Sequence, residues 1–321
     1  MRISPKIKSN LYNFAVGFSM GSANIIPGVS GGTMLFIMGA FGKLVTALRD
    51  LVSLDTLKMF IRLDFKGLRD RIQWRFLTAL VLGVLAAFAT LAKVIVGMLE
   101  AHRDITFAFF LGLIAASIIS VNRQIKKWSI GAALSGIISA AAAFAIISLI
   151  PVDTGDAWYT MILCGVICII AMILPGLSGS FLLLILGQYN RIWEAVGNLS
   201  HLKFNAGEIS MLALVALGCA IGLGAFVHLL NFLMDRYYNA TIAALCGFMI
   251  GSLPKLWPWQ SPDPASLIWQ KGKAVFSRSL YHLPKWDDGK LITLLLCIIA
   301  GFAVILTIEY FAGKKQNKES K

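Results

Sequence analysis

The sequence predicts an all-α polytopic membrane protein, an inverted repeat with two re-entrant helical hairpins and about six full spans. Three observations carry that prediction. The 321 residues are 58% apolar and only 14% charged, with a mean hydropathy of +0.77; soluble domains sit near half apolar and a quarter charged. The chain also contains itself twice. Residues 25–48, IIPGVSGGTMLFIMGAFGKLVTAL, align without a gap with 173–196, ILPGLSGSFLLLILGQYNRIWEAV, at an offset of 148. Finally, the apolar pieces 11–26, 33–48, 157–174 and 180–197 come in pairs broken by PGVSGG or PGLSGS. A soluble enzyme, a disordered chain, a collagen and a disulfide-stapled secreted module are excluded on composition.

Residues 1–10 form a basic N-terminus, and LYNFAVGFSM follows it without a small-residue cleavage site, so the segment is expected to be retained. Next comes the first hairpin, 11–48. Pieces of about 16 residues reach only about 24 Å, short of a hydrocarbon core. Each tip is therefore expected inside the membrane, where irregular backbone must be packed in protein or line a cavity. Three apolar runs, 76–99, 105–121 and 130–150, complete a first repeat over 11–150. An acidic link, PVDTGD (151–156), opens the second repeat, 151–312. It holds the hairpin 157–197 and the runs 209–234, 240–253 and 290–312. The runs 105–121 and 240–253 are short for spans. Residues 254–289, with four Trp, are expected to form an external interfacial loop, and 313–321 a tail. A second register, at an offset of 135, pairs Gly83 with Gly218, Thr106 with Thr241, Gly112 with Gly247 and Ser117 with Ser252. Three spans separate the hairpins, so the second enters from the opposite face.

The formal charge is +13, from 29 Lys and Arg against 16 Asp and Glu. The basic residues lie almost entirely between apolar runs, which points to topology and not to nucleic acid. Arg49 to Arg75 follow the first hairpin, Arg123, Lys126 and Lys127 follow the second span, and Lys314, Lys315, Lys318 and Lys321 close the chain. The positive-inside rule makes all of them cytoplasmic, both termini included, in a multi-pass membrane protein. Counting each hairpin as two full spans gives the same sidedness. Five cysteines sit inside apolar runs without a CxxC or a Cys/His cluster, so neither a disulfide framework nor a metal is suggested. No Ser/His/Asp set and no nucleotide loop can be assembled, and no cofactor is called for.

Inverted repeats with discontinuous helices are the build of secondary transporters, with the site at the midplane between repeats. Pro27-Gly28 and Pro175-Gly176 end one half-helix. Ser30 and Ser178 can cap the next, while Gly31, Gly32 and Gly179 leave its first amides uncovered for an anion. The candidate phosphate-binding residues at the tips are thus Asn24, Pro27, Gly28, Ser30, Gly31, Gly32 and Thr33, with Pro175, Gly176, Ser178, Gly179 and Ser180. The competing reading is a Gly/Ser bend for close helix packing. Lys93 and its repeat mate His228 lie deep in spans and could reach an anion near the tips, or snorkel, or bond a neighbouring helix. Lys43 and Arg191, also mates, lie about ten residues beyond the tips, where they snorkel or hold a phosphate on its way in or out. Glu194 and Glu309 are the few acids near membrane depth; either could carry a proton, or both are interfacial.

NIIPGVSGGTM together with ILPGLSGSFLLLILGQY resembles the bacterial polyprenyl-phosphate transporter family, over essentially the whole chain. The resemblance implies a flippase that returns undecaprenyl phosphate, the carrier lipid of cell-wall synthesis, from the outer to the inner leaflet. Ion coupling, by protons or sodium, is part of that expectation. A phosphate monoester on an isoprenoid tail suits helix N-termini and a Lys/His pair for the head, and an apolar groove open to membrane lipids for the tail. Two alternatives stand beside it. Undecaprenyl-pyrophosphate phosphatases also use inverted repeats, and their PGxSRSxxT-type loop is similar to PGVSGGT. Here, however, Gly31 and Gly179 occupy the Arg position, and the paired glutamates have no counterpart. The other alternative is an ion-coupled transporter of a small soluble anion.

Overall fold

The computed structural model describes residues 5–25, 30–149, 151–152, 154–200, 205–270, 273–276, 279–285 and 289–319. In the first half the chain forms α1 (Pro5–Ile25), α2 (Gly31–Ile37), α3 (Phe41–Val52), α4 (Leu54–Ile61), α5 (Phe65–Arg71), α6 (Trp74–Ala101), α7 (Arg103–Asn122) and α8 (Ile130–Ile147). The second half forms α9 (Trp158–Ile173), α10 (Gly179–Ile185), α11 (Tyr189–Ser200), α12 (Ala206–Arg236), α13 (Tyr238–Ser252) and α14 (Leu291–Glu319). Among the described residues six helices are long and apolar enough to cross a membrane: α6, α7, α8, α12, α14, and α13 with the 3-10 turn Leu253–Leu256. They coincide with the six predicted runs. The two short runs became α7 and α13, the most buried of the six. Enclosed by protein, they need not match the thickness of the bilayer.

The repeat is visible in small devices. His102 and Tyr237, 135 residues apart, each end one helix and begin the next. The freed carbonyls at these corners are met by the mates Thr106 and Thr241. Thr106 Oγ1 lies 2.9 Å from the His102 oxygen and 3.3 Å from that of Met98. Thr241 Oγ1 lies 3.0 Å from the oxygens of both Tyr237 and Leu233.

Four helix pairs build the bundle. Within each half the first hairpin helix packs on the first long span, α1 on α6 and α9 on α12. Small residues allow close approach: a methyl group at Gly17 would overlap the Leu80 carbonyl, and one at Gly83 that of Phe14. The mates repeat this, Gly165 against Val215 and Gly218 against Ile162. The other two pairs cross between the halves: α7 packs on α14, and α13 on α8. Each half thus lends its last span to the middle span of the other.

All four pairs run parallel. Asp104 pairs with Lys290 at one end of α7–α14 and Arg123 with Glu309 at the other. Gly136 lies beside Ala243, and Ala140 beside Gly251 further along. Because α7 and α8 are consecutive and opposed, the mates α7 and α13 run antiparallel, and the repeat is inverted. The register also fixes depth. Gly21 abuts Val84 and Ala87, so α1 ends level with the middle of α6, roughly 15 Å short of its far end. Likewise Gly222 abuts Val166 and Ile169, so α9 ends roughly 15 Å short of the end of α12.

One expectation needs correction. The pieces 33–48 and 180–197 are not single half-helices. The chain turns at Gly39 (φ 63°) and its mate Gly187 (φ 71°), backbone angles that favour glycine. α3 therefore leaves α2 at 119°, and α10 and α11 are separated in the same way. Among the described residues the all-α fold carries four short strands as well. The segment 254–289 carries β1 (Gln260–Pro262) paired antiparallel with β4 (Ser279–Tyr281), and β2 (Leu267–Gln270) paired with β3 (Lys273–Phe276). Trp257 Nε1 donates to the His282 oxygen at 2.8 Å, closing the base of this excursion.

Candidate functional site

The two tips meet. Ser30 Oγ donates to the Leu174 carbonyl at 2.9 Å, and a methyl group at Gly32 would lie 2.5 Å from the Ile173 oxygen. The second tip rests on α13, where Gly176 (φ 89°) lies against Phe248, Met249 and the Ser252 hydroxyl. Pro27 and Gly28 lie outside the described residues.

Ser30 caps α2 as expected: its Oγ accepts from Gly32 N at 3.2 Å. The amides of this tip are not left uncovered, though. Asn24 Oδ1 accepts from Gly31 N at 2.8 Å, and the Ser30 carbonyl accepts from Thr33 N at 3.0 Å. A short polar side chain in the last turn of α1 covers the first of these donors. Asn24 thus uses its amide oxygen as an acceptor for the backbone, which leaves only its NH2 group to donate to an anion. Thr33 is fully buried, and its hydroxyl has no hydrogen-bond partner. The second tip is more open. Ser178 makes no cap bond; its hydroxyl is 2.8 Å from that of Ser180, which is exposed. Pro175, Gly176 and Gly179 are buried.

Lys93 and His228 lie near tip depth in this register, yet both are exposed. Lys93 has no partner among the described residues. His228 Nδ1 lies 2.7 Å from the Gly224 oxygen of its own helix. The structure does not bring this pair to the tips, because both project from the faces of α6 and α12 that the hairpin helices leave free.

Lys43 and Arg191 lie at opposite ends of the bundle. Lys43 Nζ is 3.4 Å from Asn13 Oδ1 and 4.4 Å from the Phe76 ring, near the starts of α1 and α6. Arg191 pairs with Asp156 of the acidic link. Lys43→Cys and Arg191→Cys, in a cysteine-free background, are expected to react with a membrane-impermeant maleimide from opposite sides. Reaction of both from one side would refute the inversion. Glu309 is 3.7 Å from Arg123 at the end of α7, and Glu194 is exposed on α11.

One residue escaped the sequence reading. Lys255, in the 3-10 turn after α13, lies over the ring of Phe181 in the first turn of α10. Its Nζ is buried with no hydrogen-bond partner. It was hidden at the edge of a segment read as a loop, in the run LPKLWP. A lone lysine at the end of an apolar run was the only available signal.

Comparison with known proteins places the chain among membrane transporters. The chain is 32% identical over 318 residues to a polyprenyl-phosphate transporter of Vibrio cholerae serotype O1, covering 96% of this chain and 99% of that protein. It is 27% identical over 262 residues to a polyprenyl-phosphate transporter of Staphylococcus aureus, covering 77% and 86%. No solved structure gives a significant match. The family description that matches, over residues 20–275, is undecaprenyl phosphate translocase-like. On that match the chain belongs to the undecaprenyl phosphate translocase-like family, a family of membrane transporters and not of enzymes.

Proposed function

We propose that this protein returns undecaprenyl phosphate from the outer to the inner leaflet of the bacterial plasma membrane, with both chain termini in the cytoplasm. The observation that carries the reading is the meeting of two opposed, broken helical hairpins, each ending roughly 15 Å short of the far end of a long span. An isoprenoid tail can stay in lipid throughout. The phosphate head cannot, because an unpaired charge in hydrocarbon costs many kcal/mol. It needs polar partners inside the membrane, and in this reading the joined tips supply them.

In this reading the hairpins are re-entrant, and the head binds at the more open second tip. The hydroxyls of Ser178 and Ser180 donate to phosphate oxygens, and Lys255 supplies the charge. The Ser30–Leu174 bond is the seam that parts when the head crosses. Lys93 and His228, exposed near the same depth, attend the head on the lipid-facing side. Glu194 is the free carboxylate available for proton coupling, while Glu309 is engaged with Arg123.

The test is a leaflet-resolved assay of undecaprenyl phosphate in vesicles containing only this protein. Transfer well above that of protein-free vesicles is expected. Equal rates would refute the proposal. The same preparation is expected to release no phosphate from undecaprenyl pyrophosphate. At Gly31 a side chain would meet Met20 and Asn24, and at Gly179 it would meet Cys168, all within 3 Å. The phosphatase arginine therefore has no room at either position. Sustained phosphate release, abolished by Ser178→Ala, would move the protein to the enzyme class.

A further inference from the structure

Away from the tips, a polar cavity of about 460 Å³ lies where α1 and α6 begin. Its wall holds three cations, Lys43, Arg69 and Arg75, against one carboxylate, Asp70. None of these four takes part in an ion pair among the described residues. Lys43 has only the Asn13 amide oxygen and the Phe76 ring beside it. The cavity therefore carries two uncompensated positive charges. A phosphate monoester carries about −1.5 to −2 at neutral pH, and arginine recognises it through paired N–H donors.

The surroundings set the depth. α4 and α5, which lead to this wall, expose Leu54, Leu57, Phe60, Ile61 and Phe65, each at 47% or more. Lys58, Arg62 and Lys66 are interspersed among them. A short helical segment with large exposed apolar residues and a basic face lies in the plane of a membrane interface. The cavity is thereby held at headgroup level, about one hairpin arm away from the joined tips.

We propose that this cavity is a second headgroup site, binding the phosphate monoester of a membrane lipid at the interface where cargo leaves or joins the path past the tips. It rests on the transport reading above. The test uses the full chain in phosphatidylcholine nanodiscs and a photoreactive farnesyl phosphate, with cross-links mapped by mass spectrometry. Labelling is expected on peptides containing 9–13 and 69–76. In Arg69→Gln/Arg75→Gln it should fall at least tenfold, while labelling of tip peptides persists. If that double variant does not fold, Lys43→Gln, whose side chain is exposed, is expected to lose several-fold.

Farnesyl phosphate should compete, and farnesol should not. Competition by farnesol as strong as by farnesyl phosphate would overturn the proposal, since it would mark a merely greasy cleft. Inorganic phosphate competing as well as farnesyl phosphate would also overturn it, assigning the cavity to free phosphate. Absence of cavity labelling in vesicles that do transfer undecaprenyl phosphate overturns this proposal alone. Cavity labelling without any transfer overturns the transport reading alone.

Discussion

Lys255→Met is expected to weaken polyprenyl-phosphate binding by at least tenfold while leaving the fold as stable as the parent or more so. The two effects have one origin. The Lys255 Nζ is buried over Phe181 with no hydrogen-bond partner. Burying a polar or charged group without a partner is costly, and an apolar side chain of similar length removes that cost. When a phosphate is bound, the same amine becomes a charge-assisted donor, and such bonds contribute about 1.5–3 kcal/mol. Removing it therefore costs roughly ten- to hundredfold in affinity. Equilibrium binding of farnesyl phosphate and thermal unfolding in detergent, run on the same preparations, measure both. Raised stability with unchanged affinity would show that Lys255 does not face the head.

The largest effect on folding is expected at the glycines of the two equivalent helix pairs. Gly83→Ala and Gly218→Ala should each lower stability by about 1–3 kcal/mol, because the new methyl group overlaps a carbonyl of the facing helix and the pair must spread. Gly97 and Gly224 supply the control. They lie in the same two helices, α6 and α12, with nothing within 4 Å of an added methyl group. Gly97→Ala and Gly224→Ala should be neutral or up to about 1 kcal/mol more stable, through helix propensity alone. Thermal unfolding followed by the monodisperse fraction distinguishes the four. Equal behaviour would mean that the close pairs are not what holds α1 to α6 and α9 to α12.

The spans were legible because hydropathy is a direct readout of solvent, and all six predicted runs became helices. So was the inversion, since an odd number of spans between matched segments leaves no other arrangement. One cap was in reach too: Ser30 was expected to cap α2 and does, whereas Ser178, expected to cap α10, makes no cap bond. What the sequence hid was which helix packs on which. α7 and α13 are apolar on every face, so their periodicity carries no direction, and nothing in it announces α14 and α8 as their partners. The breaks at Gly39 and Gly187 were present as matched letters, but inside apolar runs a glycine at positive φ reads like one that merely lets helices approach. The site was half legible for a related reason. Motif chemistry located the tips, but whether a backbone amide is free depends on what a side chain seven residues away does, as Asn24 does for Gly31. Lys255 comes beside the second tip, over Phe181, only through the fold.

The exchange of last spans has a mechanical consequence. α14, α7, α13 and α8 form one continuous central wall to which both repeats contribute, so rocking one repeat against the other as a block would have to break the α7–α14 and α8–α13 contacts. A motion that kept the wall intact would have to shift α1 with α6 and α9 with α12, each pair locked by its facing glycines and each carrying one tip. Gene duplication and moving part thus divide the chain along different lines. A half-length ancestor could have closed its wall only by associating with a second copy inserted upside down.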